Sequence, residues 1–146
     1  MINTYNNWTI IWDHRRRKIK NRIRLTNNTY LHKENDIFVI RFYDKDILHF
    51  FSDNTVVFYS GNSRSVTTKS RLNKFGPSGF KIYQSKYVWY LQEIDKVHGT
   101  NIGEPQEFFD GISTNREEND MRRSCSEDKE YGQKILHDWL LEREKV

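Results

Sequence analysis

The hydrophobic positions change period along the chain, and each change predicts a different element. Over the first 12 residues Trp8, Ile10, Ile11 and Trp12 fall close together and read as a short strand or an apolar strap. Asp13 then offers an N-cap to "HRRRKIKNRIRL", where Ile19, Ile23 and Leu25 form a thin apolar stripe beneath seven cations, so a short basic helix is favoured, with a basic strand or an irregular arm as the alternatives. "TNNT" at 26–29 ends it. From Asn35 the period becomes that of strands. "DIFVIRFY", "DILHFF" and "TVVFYS" are β-branched and aromatic runs separated by "DKD" and "SDN", whose Asp, Asn and Ser side chains satisfy backbone groups locally. Connections this short exclude parallel crossovers, so the runs predict an antiparallel meander with Phe38, Ile40 and Phe42 on one face and Val39 and Arg41 on the other.

A short helix follows in "SVTTKSRLN", with Thr67 or Thr68 as its cap, Leu72 and Phe75 turned inward, and Gly76-Pro77 as a stop. "GFKIYQ" and "KYVWYLQ" then pair as a hairpin across "SK". Residues 113–130 hold almost no apolar side chains and read as a linker, whereas Ile135, Leu136, Trp139 and Leu140 recur at helical spacing. The elements together predict an α+β domain: a small antiparallel sheet of about five strands with the short helix inserted between its third strand and final hairpin. A basic N-terminal arm (1–25) precedes this core (26–112), and a charged linker with an amphipathic C-terminal helix (113–146) follows it.

Length and composition narrow the picture. A chain of 146 residues suits one domain. No stretch approaches the run of about 18 apolar residues that a membrane span needs, and the N-terminus carries no leader pattern, so an intracellular protein without a membrane partner is expected. The single cysteine, Cys125, excludes an internal disulfide framework. His14, His32, His49, His98 and His137 show no paired spacing that would hold a metal, and no phosphate-binding loop or nucleophile elbow is present, so neither metal nor cofactor is implied. The net charge of +4 is unevenly spread: residues 1–33 hold eight Lys/Arg against Asp13 alone, while residues 93–146 hold eight against fourteen Asp/Glu. That division suits a basic face for a polyanion, or an acidic tail folded back over it.

Three groups of side chains carry candidate chemistry. Arg15, Arg16, Arg17, Lys18, Lys20, Arg22 and Arg24 have the density of a nucleic-acid contact segment, though a solvated face or a docking site for the tail has the same composition. Arg64, Thr67, Thr68, Lys69 and Arg71 cluster at the start of a helix whose partial positive charge disfavours cations, unless an anion sits there; otherwise they extend into solvent or pair with Asp44 or Asp53. Tyr83, Tyr87 and Trp89, interleaved with Lys81 and Lys86, are either core or an exposed platform on which bases stack. Asp44 and Asp46 flank a turn and are more simply turn formers than a magnesium site.

The run from "NNTYL" at 27–31 through "TVVFYSGNSRSVTTKSRLNKF" at 55–75 to "GFKIYQSKYVWYL" at 79–91 resembles a small domain widespread in bacteriophage genomes. In that domain a strand meander leads through a Gly-rich turn into a Thr-Thr-Lys-x-Arg-x-Asn helix, a Pro-Gly turn and a Tyr/Trp hairpin. The likeness covers about residues 26–92. Where the family turn is of a Gly-Gly-Trp-Arg type, this chain has "GNSR", with Asn62 and Ser63 in the central places. The resemblance implies a viral accessory protein with no assigned catalytic residues. Three function classes follow: a non-catalytic binder of nucleic acid or phosphorylated ligands, a module that engages a host or defence protein, and a metal-dependent nuclease or nucleotide-processing enzyme.

Overall fold

The computed structural model describes residues 4–14, 21–95 and 97–115. Its elements run α1 (Tyr5–His14), β1 (Arg22–Thr26), β2 (Thr29–Glu34), β3 (Ile37–Phe42), β4 (Lys45–Phe50), β5 (Thr55–Phe58), α2 (Val66–Phe75), β6 (Phe80–Ser85), β7 (Val88–Ile94), β8 (Asn101–Glu107) and β9 (Ile112–Asn115). A six-stranded sheet has the order β1-β2-β3-β4-β5-β9 and a three-stranded sheet the order β6-β7-β8, with every pairing antiparallel. The α+β class, the β3–β5 meander and the inserted helix are as expected from the pattern. The expected count of about five strands is corrected to nine in two sheets.

The extra strands lie where hydrophobic alternation is weak or masked by charge. Over its described part the basic segment takes the strand alternative rather than the favoured helix: it is β1, in which Ile23 and Leu25 are buried while Arg22 and Arg24 alternate with them. "TNNT" is therefore a hairpin turn, with Asn28 at φ 57°. The short strand or apolar strap expected over the first 12 residues is instead α1: Trp8, Ile11 and Trp12 are spaced i, i+3, i+4 and are all buried, and Thr4 Oγ1 caps the helix by accepting from Asn7 N–H at 3.2 Å. Residues 113–115, expected in the linker, belong to β9 and pair with β5. The remaining linker, the C-terminal amphipathic segment and residues 15–20 lie outside the described residues.

Register shows which face of the large sheet is buried. Phe38 lies opposite Phe50, and Ile40, Leu48, Phe58 and Ile112 form a cross-strand row. Both helices cover this face. Trp8 places its ring 5.8 Å from Phe50 and 6.5 Å from Phe75 of α2, and Trp12 packs edge-on to Phe38 at 6.1 Å. Truncating a sealed aromatic such as Trp8 to alanine costs about 3–5 kcal/mol, so α1 is part of the core rather than an appendage. The three-stranded sheet adds Ile82, Trp89, Leu91 and, from the following loop, Phe108 to the same cluster.

Asn73, at the end of α2, ties that smaller sheet to the helix. Its Oδ1 accepts from Ile82 N–H at 2.7 Å and its Nδ2 donates to Ile82 O at 2.8 Å, so one carboxamide pairs with the edge strand β6 as a neighbouring strand would. This splice sets the position of α2 between the two sheets. Among the described residues no helix is long and apolar enough to cross a membrane.

Candidate functional site

The N-terminus of α2 is capped by Ser65, not by Thr67 or Thr68 as expected. Ser65 has extended backbone, φ −81° and ψ 161°, and its Oγ accepts from Thr68 N–H at 3.1 Å. Thr68 lies three residues into the turn, buried, with its hydroxyl 3.0 Å from Ser65 Oγ. The first backbone bond of the helix runs from Lys69 N–H to Ser65 O at 3.1 Å. Val66 and Thr67 therefore present N–H groups that helix geometry leaves without an acceptor. No acidic side chain occupies this turn.

A groove of about 460 Å³ opens beside it. Its hydroxyl side is Ser60, Ser63, Ser65, Thr67 and Thr68; its far edge is the β3–β4 turn, with Phe42, Tyr43, Asp44 and Lys45. Gly61 brings the two sides together: it holds φ +64°, and a Cβ there would stand 3.0 Å from Lys45 Cβ. Tyr43 forms the exposed wall, 63% accessible and at φ 56°, a left-handed conformation unusual for a bulky residue. Asp44 is the one groove residue whose charge opposes an anion, and Lys45 stands next to it.

The foreseen cations behave differently from one another. Lys69 is half-buried and has no carboxylate partner among the described residues; Lys45, not singled out from sequence, is the cation that lines the groove. Arg71 is laid against the large sheet, where Nε donates to Thr29 Oγ1 at 3.1 Å and the guanidinium lies 5.7 Å from the Phe42 ring. Arg64 reaches the smaller sheet, with Nη2 3.4 Å from Phe108 O and its carbon 5.2 Å and 5.8 Å from the Phe108 and Trp89 rings. Arg22 stacks over Tyr30 at 3.7 Å, and Arg24 donates to Asn27 Oδ1 at 2.6 Å. Arg15, Arg16, Arg17, Lys18 and Lys20 lie outside the described residues.

The aromatic platform needs correction. Trp89 is 2% exposed and packs edge-on to Phe108 at 5.5 Å, so it is core. Successive strand residues face opposite sides, and Tyr90 takes the outward place, stacked on Tyr83 at 5.5 Å and 23°. Tyr87 is 96% exposed at the hairpin tip, where it and Lys86 both hold positive φ.

Glu34, Asp46 and Asp53, near the turns, are already engaged. Arg41 Nε donates to Asp46 Oδ1 at 2.6 Å and Nη2 to Glu34 at 2.8 Å, while His49 Nε2 is 3.1 Å from Asp46 Oδ2. Partial burial pushes the Asp46 carboxyl up, but the hydrogen bonds and charges of Arg41 and His49 outweigh it and leave it below the ordinary carboxylate range. Asp53 caps its own turn by accepting from Thr55 N–H at 3.0 Å. On the same outer face as Arg41, burial first, and then Arg41 and Arg22, push the His32 imidazole down. Among the described residues no cluster of three or more His, Cys, Asp or Glu side chains could hold a metal ion.

Fold and site together define a two-sheet α+β domain with a hydroxyl-lined groove at a helix N-terminus. The family model of the Kyanoviridae Gp96 protein matches residues 11–115, and the chain belongs to this phage protein family. The matched span takes in all nine strands, well beyond the 26–92 region of the resemblance. No curated protein and no solved structure matches.

Proposed function

We propose that this phage protein is a non-catalytic accessory factor that binds phosphorylated ligands, nucleic acid among them, with the α2 groove as the phosphate site and the basic N-terminal segment as a second contact. One observation carries the reading: the groove reaches the first turn of α2 at Ser65, Thr67 and Thr68, where the Thr67 N–H has no intrahelical acceptor, among side-chain hydroxyls and next to Lys45. A phosphate oxygen bridging those donors relieves the mismatch between the helix's positive end and the cations near it. Arg22, Arg24 and residues 15–20 extend the same charge preference along the chain, and action in the host cytoplasm fits such a role.

Binding of a mixed-sequence oligonucleotide from about 50 to 200 mM salt tests this. Several phosphate contacts make affinity fall by orders of magnitude across that range. Lys45→Glu and Arg16→Glu separate groove from arm, each weakening binding if its own part contributes. A flat salt response, or no binding at all, contradicts the proposal.

A second reading, engagement of a host protein, is favoured by one feature. Tyr87 stands 96% exposed on a hairpin tip whose two central residues lack the Asn or Gly that positive φ prefers. Capture of one host protein that survives nuclease treatment and is lost in Tyr87→Ala supports this reading over the first.

A further inference from the structure

We propose that the outer face of the large sheet, turned away from α1 and α2, docks the chain's own C-terminal segment, residues 131–146, as an amphipathic helix whose Ile135, Leu136, Trp139 and Leu140 lie against Val39 and Val57.

Register puts one cross-strand row on that face: His32, Val39, His49 and Val57 stand opposite one another on β2 to β5. Val39 is 1% exposed, yet among the described residues it is the one buried hydrophobic side chain outside the contiguous core. α1, α2 and the smaller sheet all pack into that core, on the opposite side. Around Val39, the side chains of Tyr30, His32, Arg41, His49, Val57 and Tyr59 are half-buried, where a solvated sheet face leaves them open. Tyr59 and Phe51 set their rings 5.1 and 6.5 Å from His49, so the centre of the face is apolar and aromatic. His32 Nε2 is sealed from solvent without a hydrogen-bond partner, although water reaches such an atom on an uncovered face. A cover from beyond the described residues accounts for both the sealed nitrogen and the buried valine.

The C-terminal segment fits that face in place, reach, pattern and charge. β9 forms the edge next to β5 and ends at Asn115, the last described residue, so the chain leaves from the rim of this same sheet. Residues 116–130 extend to about 50 Å at most, and the six strands span roughly 24 Å, so the segment reaches any part of the face. Ile135, Leu136, Trp139 and Leu140 make one stripe of a helix, and packing of such a stripe supplies most of a helix's stability. Asp138 and Glu142, one turn apart, border the stripe, while Arg22 and Arg24 on β1 border the face. Among the described residues neither arginine is paired with a carboxylate.

Trypsin digestion of the full chain, with diethyl pyrocarbonate labelling of histidines read by mass spectrometry, tests docking from both sides. In the parent, cleavage at Lys134 and Arg143 should be at least about tenfold slower than at Arg122 and Arg123, a comparison that needs no variant. Val57→Glu, at a position outside the contiguous core, should remove that protection, and so should Trp139→Glu. In Trp139→Glu the His49 ring should also label at least about fivefold faster than in the parent, with His98, exposed already, unchanged. Leu141→Glu, on the opposite side of the helical stripe, should match the parent in both readouts. Equal cleavage at all four sites in the parent, or protection kept in both glutamate variants at residues 57 and 139, overturns the proposal. Protection that falls on dilution assigns the face to a second copy of the chain and overturns it as well.

Discussion

Replacing Asn73 with alanine removes the carboxamide that joins α2 to the edge of the smaller sheet. Two hydrogen bonds are lost, at 2.7 and 2.8 Å, and both end on the backbone of Ile82, which is 2% exposed. Each such bond contributes about 0.5–1.5 kcal/mol, and groups left unpaired in a buried setting sit at the upper end, so the expected cost is about 2–3 kcal/mol. For a domain of this size that corresponds to a fall in melting temperature of roughly 5–10 °C. Asn73→Asp keeps the acceptor for Ile82 N–H but sets a carboxylate against Ile82 O, and should be no more stable than the alanine variant near neutral pH. The assay is urea denaturation followed by tryptophan fluorescence, with Trp89 in the same sheet as reporter. A change within about 0.5 kcal/mol, the range of an ordinary surface substitution, would show that the carboxamide is not what splices sheet to helix.

Gly76→Ala should destabilise by about 1–3 kcal/mol, because the added Cβ meets Leu72 O at the end of α2; an unchanged urea midpoint would show that the chain yields there without strain. His32 binds its proton less readily folded than unfolded, so stability is full above about 6.5 and falls as pH drops from there toward its lowered folded value. His32→Gln should flatten that dependence between pH 7.5 and 5.5, and equal slopes in parent and variant would contradict it. Asp46 has a depressed carboxyl, so its contribution is present above its ordinary 3.8 and is lost as pH falls through the lower folded value. Arg41→Met should remove part of that acid dependence in urea titrations below pH 4, and an identical acid limb would refute the link.

Legibility from the sequence followed the strength of local periodicity. The β3–β5 runs alternate cleanly and were readable, as were α2 and the β6–β7 hairpin with its Gly-Pro and Ser-Lys punctuation. β1 was hidden because Arg22 and Arg24 belong to a run of cations that also fits a helical stripe, and only pairing with β2 decides between them. β8, "NIGEPQE", has almost no apolar residue and exists because its backbone pairs with β7, aided by Gln92, whose Nε2 donates to Ile102 O and Gly103 O at the irregular register. α1 was misread because Trp8, Ile10, Ile11 and Trp12 are contiguous enough to suit either period, and the tertiary contact with Phe38 and Phe50 selects the helix.

At the site, Thr67 and Thr68 were legible, while Ser65 was passed over as cap because the extended backbone that makes it one is not a sequence property. Tyr43, Lys45 and Ser60 were missed as groove residues. They come from two turns that approach α2 only through the meander, and the one sequence signal was the Gly61 turn that permits the approach. Trp89 and Tyr90 differ by one residue, and in a strand that is the difference between core and surface.

The most direct test of a phosphate site at the start of α2 is a two-dimensional amide spectrum of the isotope-labelled chain during titration with adenosine 5′-monophosphate. The account predicts saturable downfield shifts of the Val66 and Thr67 amides, together with the resonances of Ser60 and Tyr43. Shifts confined to Arg22, Arg24 and the residues before them, with the α2 amides unmoved at saturation, would contradict it.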